Sequence, residues 1–422
     1  MAKTGDTIRI KTDDGDMEGI LMPRPSILKD DMLVLKLGSG YNIGVSRDRI
    51  KSTEVIAERE QKTEEHASIP KIEGKPNISI ISMGGTISSK VDYTTGGVYA
   101  DYTAEDFIAM MPELADMANL SARKVASVMS EDMTPDDWLT LAHVIEEELK
   151  GADGVVVSQG TDTLHFTSAA LSFFFADTSK PIIVTASQRS IDRGSSDAFM
   201  NLSCSIAAAS HDGIKGVYTC LHGSMDDDAC LLIPGTRARK MHSSRRDAFR
   251  PVNGVAAGDV LADGTVSLRE THDVGDRPGA EVSGHIGFER KVGMLYCYPG
   301  MEPSLLDAFK GYNGLVIVGT GLGNIPQELF PNVKKLIDAG VHVVITTQTL
   351  YGATHPLVYQ NLRKLSIEMG AMFVSDMLPE VAYVKLGWLL SQQRDIDELR
   401  ELMQQNLVGE ISYRQEPDEF LS

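Results

Sequence analysis

From Asn77 onward the sequence repeats one pattern: an apolar run of four to six residues ending in Gly, Ser, Thr or a close relative, then a longer stretch of helical character. Ile78–Met83, Gly154–Val157, Pro181–Ala186 and Gly216–Leu221 form one series. Gly293–Tyr298, Gly314–Val318, Val341–Thr346 and Met372–Ser375 form another. A strand that is apolar throughout, and not only at alternate positions, must be covered on both faces. Helices between strands supply that cover, so the pattern predicts an α/β fold with mostly parallel sheets. The Gly- and Asp-rich stretch from Val252 to Gly287 splits the two series into α/β domains at 77–265 and 288–422. In such sheets ligands bind beyond the carboxyl ends of the strands, which directs attention to the residues just after each run.

Ahead of this pattern lie shorter strand-like runs separated by Gly, Pro and Asp: Thr7–Lys11, Met17–Met22, Met32–Leu37, Tyr41–Val45 and Lys51–Ile56. Their close spacing predicts a small all-β, barrel-like module over 1–57. The charged segment 58–76 reads as a linker. The 422-residue chain carries a net charge of −19, yet residues 1–75 hold 13 basic and 14 acidic residues, so the acidity belongs to the main body. Such a body is a poor dock for a nucleic-acid backbone. Cys204, Cys220, Cys230 and Cys297 form no C-x-x-C pair and are expected to be buried, reduced thiols. The N-terminus lacks the apolar core of a signal peptide, and no apolar stretch nears the ~18 residues needed to span a bilayer, so a cytoplasmic location is expected.

Two strand ends share a feature. Ile78–Met83 runs into Gly84-Gly85-Thr86-Ile87, and Gly154–Ser158 runs into Gln159-Gly160-Thr161-Asp162-Thr163. A glycine turn lets backbone N–H groups approach a substrate, and a following helix adds its positive N-terminus. The bland reading is that Thr161, Asp162 and Thr163 cap the helix LHFTSAALSFFF. The chemical reading is a threonine nucleophile, which needs a base or relay; a carboxylate paired with a buried lysine would serve. Lys90, Lys180 and Lys240 are the candidates on residue type alone.

These residues resemble the L-asparaginase/glutaminase amidohydrolases, marked by a G-G-T-I turn and, some 75 residues later, G-T-D-T. The resemblance continues through Lys180-Pro181, Ala186-Ser187-Gln188-Arg189, Asp197-Ala198-Phe199-Met200-Asn201 and Leu378-Pro379-Glu380-Val381-Ala382, and covers about Asn77 to Gln393. It implies that Thr86 is the first catalytic threonine and that Thr161 and Asp162 are the second threonine and its acidic neighbour. The catalytic lysine is then Lys240, nine residues before Phe249, while Lys180 takes a structural position before a strand and Lys90 an exposed loop position. Tyr93 resembles the tyrosine of the loop that closes over substrate. Ser130 and Glu131 resemble the segment holding the α-amino and α-carboxylate groups, although many asparaginases carry Gln where this chain has Glu131. Ala186 and Asn324 complete the implied substrate contacts, Asn324 across a subunit boundary. His165, His222 and His355 lack metal-ligand spacing and read as ordinary residues near strand ends.

A free-standing asparaginase begins close to its G-G-T-I turn, whereas here about 75 residues precede it. Asp31–Leu37 and Ser39–Gly44 resemble the N-terminal module of the D subunits of archaeal glutamyl-tRNA(Gln) amidotransferases. That resemblance implies a glutaminase subunit without a metal or organic cofactor of its own. A partner, the amidotransferase E subunit, would use ATP and Mg2+ to activate glutamate on Glu-tRNA(Gln) and would receive the ammonia, with a homodimer of this chain inside a heterotetramer. The competing readings are a self-sufficient L-asparaginase with a regulatory N-terminal module and, from a different class, a non-catalytic RNA- or protein-binding scaffold.

Overall fold

The computed structural model describes residues 2, 6–22, 31–38, 41–57, 72–85, 89–91, 98–100, 112–191, 194–269, 284–415 and 420. The chain divides into two compact units, Met1–Ser68 with Ser89–Tyr99, and Ile69–Ser88 with Ala100–Ser422.

In the first unit, β1 (Thr7–Thr12), β2 (Gly15–Met22), β3 (Met32–Leu37), β4 (Asn42–Ser46) and β5 (Ile50–Ala57) form an antiparallel sheet in the order β4-β3-β2-β1-β5. Alternate residues Ile8, Ile10, Leu33, Leu35 and Val45 point into one small core, as a period of two requires. Among the described residues no ladder joins β4 to β5, so the barrel-like module is a sheet open at that seam. The next strand, β6 (Asn77–Ser82), belongs to the second unit. It is followed by two short strands, β7 (Ser89–Val91) and β8 (Val98–Ala100), which pair with each other. Lys90, expected in a loop, therefore has strand backbone.

The second unit contains β6, β9 (Asn119–Lys124), β10 (Gly154–Ser158), β11 (Pro181–Thr185), β12 (Gly216–His222), β13 (Ala229–Pro234), β16 (Gly258–Leu261) and β17 (Val266–Leu268) in one eight-stranded sheet, ordered β17-β16-β13-β12-β11-β10-β6-β9. From β9 to β12 the strands are parallel, and β13, β16 and β17 extend the sheet antiparallel. The sequence pattern did not anticipate this extension, since β16 and β17 lie inside the stretch read as the split between domains. Its cause is connection length: six residues join β12 to β13 and four join β16 to β17, enough for a reversal but too few for a crossover. Between β13 and β16 a hairpin, β14 (Ala238–Lys240) and β15 (Phe249–Pro251), stands out as its own two-stranded sheet. A second, all-parallel sheet comprises β18 (Val292–Tyr296), β19 (Gly314–Gly319), β20 (His342–Thr347) and β21 (Met372–Phe373).

Among the described residues the α-helices are α1 (Pro135–Glu148), α2 (Leu164–Phe174), α3 (Ala198–Ala209), α4 (Phe330–Asp338), α5 (Gln360–Arg363), α6 (Pro379–Leu390) and α7 (Ile396–Gln404). Helix α1 starts where the chain says it should: Pro135 occupies its first turn and the Thr134 N–H donates to Asp137 Oδ2 at 2.8 Å. It buries Trp138, Leu141, Ala142 and Ile145, the i, i+3, i+4, i+7 stripe of an amphipathic helix. Its far end is closed by Lys180, whose Nζ donates to the carbonyls of Leu149 and Ala152 at 2.7 Å each. A cation on the last carbonyls of a helix satisfies orphan acceptors and opposes the dipole. Lys180→Met should lower unfolding stability by about 1–2 kcal/mol and leave any turnover unchanged, which chemical denaturation beside an activity assay would check.

One buried cluster is shared by both α/β halves. Ile81, Val155, Leu171 and Phe173 from the first half lie in the same buried cluster as Val316, Val344, Val381 and Trp388 from the second, and the rings of Phe173 and Trp388 stack at 5.4 Å. The second half is thereby held firmly against helix α2, which begins at the G-T-D-T turn.

Candidate active site

Gly84 and Gly85 follow β6 with φ of +95° and +82°, the left-handed region that L side chains avoid. They also allow close approach. A Cβ on Gly85 would stand 2.1 Å from Gly160 N, one on Gly84 would stand 2.8 Å from Val128 N, and one on Gly160 would stand 2.7 Å from Ser130 Cβ. The two glycine turns and the Ser130 segment are therefore in direct backbone contact, each turn immediately ahead of its threonine in the sequence. Thr86 and Tyr93 lie outside the described residues.

At the second turn, Lys240 Nζ donates to Thr161 Oγ1 at 2.7 Å and to Asp162 Oδ1 at 2.6 Å. The lysine side chain is 9% exposed and that of Asp162 62%, so the ion pair has one buried and one wet end. Lys240 is 79 positions from Thr161 and 78 from Asp162 in the chain; the β14–β15 hairpin, with Lys240 paired opposite the buried Phe249, brings them together. Thr161 is 6% exposed. Thr163 is the residue preceding α2, yet its hydroxyl makes no capping bond. It donates instead to the Ser130 carbonyl at 2.7 Å, while Ser130 Oγ accepts the Asp162 N–H at 3.4 Å. The hydroxyls thus hold segments of the site together, and helix capping does not account for them.

Ser130 is buried and opens a short 3-10 turn over Ser130–Asp132 in which Glu131 is exposed. Ala186 sits at the end of β11 with its side chain fully buried in the core, and its carbonyl accepts from Asn201 Nδ2 at 2.8 Å. Asn324 closes a tight turn with Thr320, its N–H donating to the Thr320 carbonyl and its carbonyl accepting the Thr320 N–H, both at 2.8 Å; among the described residues no contact brings it to Thr161 or Lys240.

Sequence reasoning missed the groups that surround Lys240. Its neighbour Arg239 pairs with Glu380 near the start of α6, and Glu380 is 1% exposed with Oε1 lacking a hydrogen-bond partner among the described residues. Burial pushes the Arg239 pKa down and Glu380 overrides it, leaving the guanidinium above its usual value. His165, one helical turn beyond Thr161, is 7% exposed with Nδ1 unpartnered among the described residues. Burial lowers its pKa to about 4, with charges on Glu380, Arg239, Lys240 and Asp162 all acting on it, so the imidazole is neutral at pH 7. The signals were present in the chain: a histidine that is the one ionisable residue of helix α2, four residues after Thr161, and a glutamate directly after the first-turn proline of α6. An unfolded chain protonates this histidine near pH 6.5 and the folded one near 4, so folding stability that is complete above pH 6.5 is lost as pH falls toward 4, by about 3 kcal/mol. His165→Phe should flatten that limb in denaturation curves taken between pH 4 and 7.

Among the described residues no cluster of His, Cys, Asp or Glu could hold a metal ion, all four cysteines are buried and free, and no helix is long and apolar enough to cross a membrane.

Three family models match the chain: GatD N-terminal domain at residues 2–56, Asparaginase, N-terminal at 77–273, and Glutaminase/Asparaginase C-terminal domain at 291–403. The D subunit of the glutamyl-tRNA(Gln) amidotransferase of Pyrococcus furiosus is 42% identical over 99% of this chain and 97% of its own length. The protein of the same name from Methanothermobacter thermautotrophicus is 41% identical over 97% of this chain and 94% of its own. The chain belongs to the family of glutamyl-tRNA(Gln) amidotransferase D subunits. Among solved structures, the thermostable L-asparaginase from Thermococcus kodakarensis superposes with a TM-score of 0.69 at 30% identity, covering 80% of this chain and 99% of that one. L-asparaginase I from Vibrio cholerae superposes with a TM-score of 0.68 at 30% identity and the same coverage. The D-subunit family thus combines a complete asparaginase-type α/β body with an N-terminal module of its own, and the converging turns and the Lys240 contacts lie in that body.

Proposed function

We propose that this chain hydrolyses the side-chain amide of glutamine, or of asparagine, and delivers the ammonia as the amidohydrolase component of a tRNA-dependent amidotransferase. The observation that carries this reading is Lys240 Nζ within 2.7 Å of both Thr161 Oγ1 and Asp162 Oδ1, beside a turn whose next residue is Thr86.

Substrate is held by its α-groups at Ser130 and Glu131, with Ala186 and Asn324 as further contacts and Tyr93 closing over it. The Oγ of Thr86 attacks the amide carbon, its proton passes to the departing nitrogen, and ammonia leaves. Backbone N–H groups at the glycine turns stabilise the oxyanion, a single such donor being worth ~3 kcal/mol. A threonine hydroxyl that accepts from the Lys240 ammonium has its own proton and remaining lone pair free for a water. Thr161, tuned through Lys240 and Asp162, orients that water onto the acyl carbon, and hydrolysis returns glutamate and the free Thr86 hydroxyl.

In this reading the chain acts in the cytoplasm as a homodimer within a heterotetramer. Its partner, the amidotransferase E subunit, binds Glu-tRNA(Gln) and spends ATP with Mg2+ to activate the γ-carboxyl, and this chain needs no cofactor of its own. The acidic body, which is ill suited to an RNA backbone, supports that division. The test is to mix the chain with the E subunit, ATP, Mg2+, glutamine and Glu-tRNA(Gln) and to assay for Gln-tRNA(Gln). Gln-tRNA formation that requires both chains supports the proposal. Brisk asparagine hydrolysis with no response to partner or tRNA would replace it with a free-standing asparaginase, and absence of any amidohydrolase activity would leave the scaffold.

A further inference from the structure

A second group of ionisable residues lies behind the catalytic hairpin, at the carboxyl end of β12. His222 is wholly buried. Its Nδ1 is 2.6 Å from Asn201 Oδ1 and its Nε2 is 3.0 Å from Asp227 Oδ1. The orientation of the Asn201 amide is decided by its other partners. Nδ2 donates to the Ala186 carbonyl at 2.8 Å and to Asp197 Oδ2 at 3.2 Å, neither of which can donate in return, and Oδ1 already accepts the His222 backbone N–H at 3.0 Å. Oδ1 is therefore an acceptor, and the ring nitrogen facing it carries hydrogen. On the other side, Asp227 Oδ1 also receives Arg246 Nη1 at 2.7 Å. The hydrogen bond from His222, joined by the Arg246 charge, holds the Asp227 carboxyl below its usual range, so this oxygen is an ionised acceptor too. Both ring nitrogens face acceptors.

Arg246 belongs to the loop between β14 and β15, the hairpin that carries Lys240. Besides Asp227 it donates through Nη2 to the Ser195 carbonyl at 2.8 Å, and Ser195 has a φ of +58°, a conformation that a serine keeps only when its surroundings enforce it. The chain of contacts runs from the Asp197 cradle, where that carboxylate accepts the N–H groups of Gln188 and Arg189 beyond β11, through Asn201, His222 and Asp227 to Arg246.

We propose that His222 is a positioning residue for Lys240: its Nε2 contact keeps Asp227 aimed at Arg246 and so holds the hairpin that carries Lys240, and loss of that contact loosens the hairpin. The other ionisable groups facing the ring are Asp228, whose carboxylate is held by Ser224 and the Ala229 N–H, and Cys230. Cys230 donates to Asn201 Oδ1 and is kept as a thiol by its bonds to Cys204 and Cys220. Asp197 lies beyond Asn201.

The inference rests on Lys240 being the relay lysine, and three measurements separate it from that assumption. Nitrogen NMR on the histidine-labelled full chain, with His222→Gln used for assignment, should show the His222 ring resonances displaced in Asp227→Asn; unchanged resonances overturn the proposal whatever the activity. Hydrogen exchange of residues 238–251 should be at least about tenfold faster in Asp227→Asn than in the parent at one pH, and equal exchange overturns it. Asp227 is 66% exposed, so this variant is not threatened by burial. In glutamine hydrolysis, Asp227→Asn should lower kcat about tenfold with KM changed less than twofold, a loss in keeping with a small misplacement of a reacting group. If the parent itself shows no amide hydrolysis, the functional reading fails, and the ring resonances and hairpin exchange still decide this one.

Discussion

Lys240→Met should reduce kcat for glutamine hydrolysis by a factor on the order of 10^3, the scale of a lost proton-transfer partner, while KM and the melting temperature change little. Methionine fills the space of the lysine stem along the buried wall of the hairpin but supplies no donor. Thr161 Oγ1 and Asp162 Oδ1 each lose a hydrogen bond, of 2.7 and 2.6 Å respectively. The loss is tolerable for stability because the Asp162 side chain is 62% exposed and water can take over its solvation, whereas removing one partner of a fully buried pair would leave an uncompensated charge. The effect therefore falls on chemistry. Steady-state kinetics beside a thermal melt would check it, and turnover within threefold of the parent would sink the relay. The Lys385–Glu410 pair is the contrast: both side chains are 0% exposed, so Lys385→Met should cost about 3–5 kcal/mol of stability by stranding Glu410.

Gly85→Ala should abolish activity and destabilise the fold at once. Its new Cβ would lie 2.1 Å from the backbone nitrogen of Gly160 at a φ of +82°. A collision with backbone cannot be relieved by a rotamer change, so the two turns must separate. The left-handed conformation alone costs about 1–2 kcal/mol, and parting the turns adds to that. Displacement of the residues that follow each turn by even ~1 Å is worth about 10^2 in rate. Gly74→Ala provides the control: Gly74 has a φ of +88°, but a methyl group there would have no neighbouring atom within 4 Å, so it should show only the conformational cost and normal turnover. Equal behaviour of the two variants in denaturation and kinetics would show that close approach of the turns is unimportant.

Much of the fold was legible in the chain because burial on both faces of a parallel strand is a local property. The eight apolar runs correspond to β6, β10, β11, β12, β18, β19, β20 and β21, with ends displaced by one or two residues. The antiparallel extension of the large sheet was not legible. Gly258–Leu261 and Val266–Leu268 are too short for a pattern to show, and they become strands by pairing, the first with the edge of β13 and the second with the first. The boundary expected near Val252–Gly287 separates two sheets, each with a buried cluster of its own, while α2 and α6 seal a further cluster shared by both halves.

At the site, the two glycine-threonine turns, with Asp162, could be picked out on turn chemistry, and Lys240 by the family resemblance. On residue type alone the lysines were equivalent: Lys180 closes α1 and Lys240 meets Thr161, a distinction made by the β14–β15 hairpin. His165 and Glu380 had local signals but no reason to be associated until helices α2 and α6 packed. The sequence by itself determined which segments are the strands covered on both faces, where the chain must turn after them, and which hydroxyls follow those turns, since periodicity and glycine placement act over a few residues. Only the tertiary structure decided which charges meet, because contacts such as Lys240 with Asp162, Arg239 with Glu380 and Asp227 with His222 and Arg246 depend on how sheets, hairpin and helices converge, and no local pattern encodes that distance.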